Sequence, residues 1–240
     1  ENGQDYLKKF VHLGSESNAF TSFTKTSYLF STTSRVSENI KLLLEMVSKA
    51  SFTEKSVAKE REIIQQEIGM CQDSPDYRLF FGALENLYPG TPLADDIAGT
   101  RESISDITID NLRENFDLFY HPTQMHLLVI GNFDVDAVLQ VVNEYGQLPP
   151  RPSIKVERFP VEKNEVKLNQ SCRMDVASPK LAIGIRGNDV IKEEEKFRYK
   201  LMLKLLFSMM FGWTSQRFQS LYEAGKVDNS LTLEVEVEEV

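Results

Sequence analysis

Two carboxylates in the stretch KEREIIQQEIGM, residues 59 to 70, have the type and spacing to do chemistry. On a helix Glu60 and Glu67 stand nearly two turns apart, so they stack on one face with Ile64 between them. Val57, Ile63, Ile64, Ile68 and Cys71 form an apolar stripe on the same helix, and both glutamates fall inside it. An unpaired carboxylate held away from water costs several kcal/mol, so the arrangement calls for a cation, a metal or access to solvent. Partly exposed glutamates on a wide stripe, an arginine partner, a metal ligand with a supporting acid, and an acid/base pair all satisfy it. Periodicity alone does not choose among these.

Other metal donors are few. His12, His121 and His126 are the only histidines, and none forms HxxxH or HExxH. His126 lies in an apolar run and reads as a core or edge histidine; His121 precedes Pro122 and reads as a capping or surface group. Cys71 and Cys172 stand far apart without a CxxC, which supports neither a disulfide framework nor a cysteine zinc site and fits a reducing, cytoplasmic compartment. No GxSxG, P-loop or GxGxxG is present to anchor triad, phosphate or dinucleotide chemistry.

The elements that must position the glutamates are legible in outline. SNAFTSFTKTSYLFSTTS, residues 17 to 34, predicts two strands that reverse at Thr24, Lys25 and Thr26, the first an edge strand poor in large aliphatics. SENIKLLLEMVSKA predicts a helix with Ser37 as N-cap and Ile40, Leu43, Leu44 and Val47 inward. The glutamate helix opens at Thr53 and runs to about Cys71, where QDSPD stops it, and YRLFFGALENLY follows as a third helix. Next come a helix in IDNLRENFDLFYH, a buried strand in QMHLLVIGN, and a helix in DVDAVLQVVNEYG with Asp134 as N-cap and Gly146 as C-terminal signal. Residues 149–165, rich in proline and charge, form the linker. Beyond it, CRMDVASPKLAIGIRG supplies strand material, EEEKFRYKLMLKLLFSMMFG and SQRFQSLYEAG two helices, and LTLEVEVEEV a last strand that stops without a turn. A strand, loop, helix unit recurs coarsely on either side of the linker and suggests two related halves.

A chain of 240 residues with 41% hydrophobic and 26% charged content can bury a sizeable core in one large domain or two small ones. Its net charge of −9 argues against a nucleic-acid partner. No stretch approaches the ~18 apolar residues of a membrane helix, and the first residues lack signal-peptide order. Both ends read as cuts through a longer chain.

The blocks GSESNAFTSFTKTSYLF, FTEKSVAKEREIIQQEIGMCQDSPDYRLF and IAGTRESISDITIDNLRENFDLFYHPTQMHLLVIGNFD together resemble the insulinase/pitrilysin (M16) zinc metallopeptidases, and FGWTSQRFQSLYEAGKVDNS resembles the family's second subdomain. The nearest likeness is to bacterial members about twice this length, often found beside a sister protein that lacks the metal motif. The resemblance implies an α+β fold: a mostly antiparallel sheet with helices on one face, residues 1–148 as the metal-helix subdomain and 166–240 as part of a second. It implies a zinc ion held by two histidines of HxxEH and by Glu67, with Glu60 as the catalytic-site acid that orients the centre. It also implies that Asn18, Ala19, Phe20 and Thr21 form the substrate-binding edge, which pairs with an extended peptide through its main chain. HxxEH itself is absent, and family spacing sets it roughly ten residues before Glu1, so this chain alone lacks a closed site.

Three functions follow as expectations. The first is part of the catalytic half of a zinc metallopeptidase that hydrolyses peptides with zinc-activated water, its chamber completed by a second M16 half or a sister subunit in a dimer. The second is an inactive homologue that serves as the chamber-forming partner. The third, a metal-free acid/base enzyme, requires one glutamate with a strongly raised pKa. Without a first strand and an HxxEH helix, the chain is expected to expose a sheet edge and an apolar face, and to associate.

Overall fold

The computed structural model describes residues 6–145 and 164–237. Residues 6–145 with 164–184 form one compact unit, and residues 185–237 a second.

In the first unit, helix α1 (Tyr6–His12) leads into a hairpin of β1 (Glu16–Thr21) and β2 (Thr26–Ser31). The strands are antiparallel, in register from Glu16↔Ser31 to Thr21↔Thr26. The chain reverses across residues 22–25, where the Ser22 amide donates to the Lys25 carbonyl at 2.8 Å; Thr26, expected in the reversal, is already in β2 and pairs with Thr21. Helix α2 (Val36–Ser48) packs against α1 and β2. Its Leu42 and Leu43 join Phe10 in the core, against which Tyr6, Leu13, Tyr28, Phe30 and Met46 pack. The Phe10 and Phe30 rings stack at 5.7 Å and fasten the hairpin to the helices.

Ser37 does not cap α2. The helix begins two residues earlier than a Ser37 cap would set it, after Arg35 in the left-handed region at φ 54°. Asn39, wholly buried, stabilises this entry: its amide nitrogen donates to the Arg35 carbonyl at 3.0 Å, and its oxygen accepts from the buried Ser15 hydroxyl at 2.6 Å. The Arg35 guanidinium also forks onto Glu38, at 2.8 and 2.6 Å. These bonds offset the roughly 1–3 kcal/mol that a non-glycine residue pays in that conformation.

Helix α3 (Glu54–Asp73) starts where expected, with a capping box in which Thr53 and Ser56 each accept the other's amide. It stops at Ser74, whose hydroxyl caps α4 (Pro75–Leu87) with Pro75 in the first turn. Helices α5 (Arg101–Asp106) and α6 (Ile109–Phe119) open with the capping boxes Thr100/Ser103 and Thr108/Asn111. Asp134 accepts the Ala137 amide at 3.1 Å and caps α7 (Val135–Tyr145) as the sequence predicts. Residues 164–184 run along α4 through Lys167 to Glu85 at 2.9 Å and Lys180 to Asp76 at 2.6 Å.

The second unit contains α8 (Glu193–Phe211) and α9 (Gln216–Glu223). Ser215 caps α9, Phe218 is buried and stacks on Tyr222, and Arg217 lies over the Phe211 ring. The SQRFQSLYE segment thus packs its own subdomain.

The class is α+β, as the sequence implies, but among the described residues the sheet is confined to the hairpin. Among the described residues, the strands expected in QMHLLVIGN, CRMDVASPKLAIGIRG and residues 231–237 form no ladder. Nor is QMHLLVIGN buried: Leu128 is 80% and Ile130 85% exposed. Alternating apolar residues favour a strand only when a neighbour takes up their amides and carbonyls. Among the described residues these segments have no such neighbour. Gly146 and nearly all of the expected linker, 149–165, lie outside the described residues.

Candidate functional site

Helix α3 carries both glutamates, and its rotation is set by what it buries. Val57, Arg61, Ile64, Ile68 and Cys71, spaced three and four apart, form its inward face, with Ile68 sealed at 1% exposure. Arg61 extends its guanidinium to the Ile107 carbonyl at 2.7 Å, and Gln65 donates to the Ser105 hydroxyl at 3.0 Å. The helix is therefore pinned to the end of α5 and to the connection that follows it.

That rotation corrects the helical wheel. Glu60 and Glu67 do not point into a core; both are exposed, on an outer stripe with Ile63 and Met70. The wheel erred because it assigned Ile63 to the inward stripe and left Arg61 out. An arginine covers apolar surface with its stem while its head finds a polar partner, so Arg61 takes the inward place. Exposure also removes the burial that a metal-free acid/base pair would need, and the carboxylates stand about 10 Å apart along the helix axis. What α3 presents is two solvated carboxylates alternating with two exposed apolar side chains.

Asn18, Ala19, Phe20 and Thr21 lie together on β1, all exposed. The pair Ser22 and Lys25 is hydrogen-bonded, so bonded pairs recur at Phe20↔Ser27 and Asn18↔Leu29. By that alternation Ser17, Ala19 and Thr21 direct their backbone groups away from β2, toward an edge with no strand on it among the described residues. The Ala19 amide is held at 2.8 Å by its neighbour's Asn18 Oδ1. An incoming strand would take over that donor.

The histidines contribute no metal cluster. His12 ends α1 exposed, and His126 is exposed rather than in a core. His121 is buried and caps the turn after α6, its Nδ1 accepting the Thr123 amide and meeting the Thr123 hydroxyl at 2.8 Å. No three His, Cys, Asp or Glu side chains among the described residues are placed to share a metal. A catalytic zinc takes three protein ligands and keeps one open position. The described residues therefore do not make up a complete zinc centre among themselves.

Sequence reasoning missed the aromatic run that joins the hairpin to α3. The Tyr28 and Tyr120 hydroxyls share a hydrogen bond at 2.7 Å, Tyr120 stacks on Phe116 at 4.9 Å, and Phe116 meets Phe52 edge to face at 6.3 Å. Burial first, then the Tyr120 bond, raises the Tyr28 pKa and keeps its hydroxyl protonated. The available signal was Phe116 and Tyr120 at i, i+4 in NFDLFY.

The sequence model of insulinase (Peptidase family M16) matches residues 1–101, and that of the Peptidase M16 inactive domain matches residues 106–232. The chain belongs to the M16 peptidase family. An M16 relative from Bacillus subtilis, the uncharacterized zinc protease YmfH, is 40% identical over 98% of this chain and 56% of its own length. The crystal structure of an M16-like peptidase from Alicyclobacillus acidocaldarius matches with a TM-score of 0.77 at 30% identity, over 97% of this chain and 56% of that one. Subunit 1 of the mitochondrial cytochrome b-c1 complex of Bos taurus is 24% identical over 60% of this chain and 30% of its own length. This M16 chain thus spans about half the length of the first two. Several M16 relatives are named zinc proteases, which associates zinc with the family.

Proposed function

We propose that this chain is part of the catalytic half of a zinc metallopeptidase, in which it supplies one carboxylate ligand, Glu67, a supporting acid, Glu60, and a peptide-holding edge, Asn18 to Thr21. The observation that carries the reading is the outer stripe of α3, where two carboxylates alternate with exposed Ile63 and Met70. Apolar residues at such spacing favour coverage by another element, and the carboxylates between them would then face donors on that element. Residues 1–148 act as the metal-helix subdomain and 166–240 as part of the second. The unpaired cysteines support a cytoplasmic setting. The remaining ligands and the other chamber wall belong to the rest of the protein, a second M16 half or a sister subunit.

The open edge gives the reading a direct test with an extended fluorescent peptide and anisotropy. Ala19→Pro removes an outward amide without breaking the β1–β2 ladder, so the chain should fold and its peptide affinity should fall at least tenfold. Phe20→Pro removes a ladder amide and should destabilise the hairpin itself. Undiminished binding by Ala19→Pro would remove β1 from the substrate site.

A second reading, an inactive M16 subunit that shapes the chamber of a partner, is favoured by the match of residues 106–232 to the M16 inactive domain. It predicts a relatives-length protein that binds peptide and partner but neither holds zinc nor cleaves.

A further inference from the structure

We infer that Tyr28 and Tyr120 are positioning residues which, through α6, set the distance between the peptide edge and the glutamate helix. This inference rests on the reading of β1 and α3 as parts of one peptidase site. The hairpin packs against α1 and α2, while α3 packs against α4 and α5. Helix α6 spans these two groups. At its start, Arg61 of α3 holds the Ile107 carbonyl at 2.7 Å, two residues before the first helical residue. At its end, Tyr120 holds the hydroxyl of Tyr28 at 2.7 Å. Along its length Phe116 touches both Tyr120 and Phe52, and Phe52 immediately precedes the Thr53 cap of α3. Eleven helical residues make a strut of about 16 Å, stiff on this scale.

Tyr28 is also the register partner of Ala19, the residue whose outward amide lies at the centre of the proposed peptide edge. Its side chain and that of Ala19 share one face of the hairpin, so a hydrogen bond that fixes the Tyr28 ring fixes the strand opposite it. Neither tyrosine touches the place a peptide would occupy; each acts through the strut. A catalytic group displaced by about 1 Å costs on the order of a hundredfold in rate, which is the scale such a strut would control.

The clamp can be tested without zinc or activity. In the full 240-residue chain with Cys71→Ser and Cys172→Ser, spin labels at Phe20→Cys and Met70→Cys report the separation of β1 and α3 by pulsed electron resonance. The background chain should give one narrow distance distribution. Tyr28→Phe and Tyr120→Phe should each broaden it at least twofold while circular dichroism shows the chain folded. The double variant should be no broader than either single variant, because both lose the same bond. Tyr145→Phe, which removes the 2.8 Å bond to Glu45 elsewhere in the unit, should leave the width unchanged. An unaltered width in both Tyr28→Phe and Tyr120→Phe, or equal broadening in Tyr145→Phe, would overturn the inference.

Activity adds a second readout in protein of the relatives' length. There Tyr120→Phe should lower kcat at least tenfold with KM within twofold, whereas a proportional loss of active protein would count against positioning. If that wild-type protein cleaves no peptide, the proposed function fails while the label distances still decide the clamp.

Discussion

Ile63 and Ile68 lie five residues apart on α3, one facing water and the other sealed in the interior. Their contrast states the rotation of the helix at the level of single side chains, and that rotation brings Glu60 and Glu67 to the surface. Ile68→Ala should therefore cost about 2–5 kcal/mol in chemical denaturation. Ile63→Ala should cost less than about 0.5 kcal/mol, as exposed substitutions do. Equal costs would mean that α3 is turned otherwise and that the glutamates face inward after all. The sequence showed that one helix holds both glutamates but not which way it turns. An isoleucine at either edge of a wide stripe scores alike on a wheel, whereas the bond from Arg61 to the Ile107 carbonyl, 46 residues away, decides the matter and has no local signature.

Among the elements, those with local instructions are the ones legible in advance. Thr53, Asp134 and the reversal between β1 and β2 act through neighbours within a few residues, and the structure contains all three. The strands after residue 124 depend on a distant partner, and no ladder forms for them among the described residues. Segment 164–184 instead lies along α4, joined partly by the Lys167–Glu85 pair. The hydrogen bond from Lys167 holds the Glu85 carboxyl below its ordinary value of 4.5. A depressed carboxylate pKa contributes stability that is complete above the unfolded value and is lost as pH falls through the folded one. The Lys167 amide, bonded to the Asn86 carbonyl at 2.9 Å, reports the contact. Its exchange protection, corrected for intrinsic rate, should hold steady from pH 7 to pH 5 and decline by pH 3. The decline should be smaller in Glu85→Gln, and equal protection at pH 3 and pH 7 would show that the pair does not hold the segment.

At the scale of the molecule the first unit exposes apolar side chains that isolated proteins bury. Leu128, Ile130, Leu181 and Ile183 are each at least 80% exposed, and covering one such side chain is worth about 1.5–3 kcal/mol. The 240-residue chain should accordingly associate in sedimentation velocity at micromolar concentration, and a lone monomer at every concentration would show that these groups need no cover. The same incompleteness extends to the proposed metal: among the described residues no three donors come together, and Glu67, the proposed ligand, would be one where a catalytic zinc takes three. On the proposed function, this chain lends a ligand and an edge to a centre it does not itself complete. Zinc quantification on purified protein addresses it most directly, comparing the 240-residue chain, the relatives-length protein and the latter with Glu67→Gln. No tight zinc is expected in the short chain, about one zinc in the long protein, and its loss in the variant. Zinc retained after Glu67→Gln, or held tightly by the short chain alone, would contradict it.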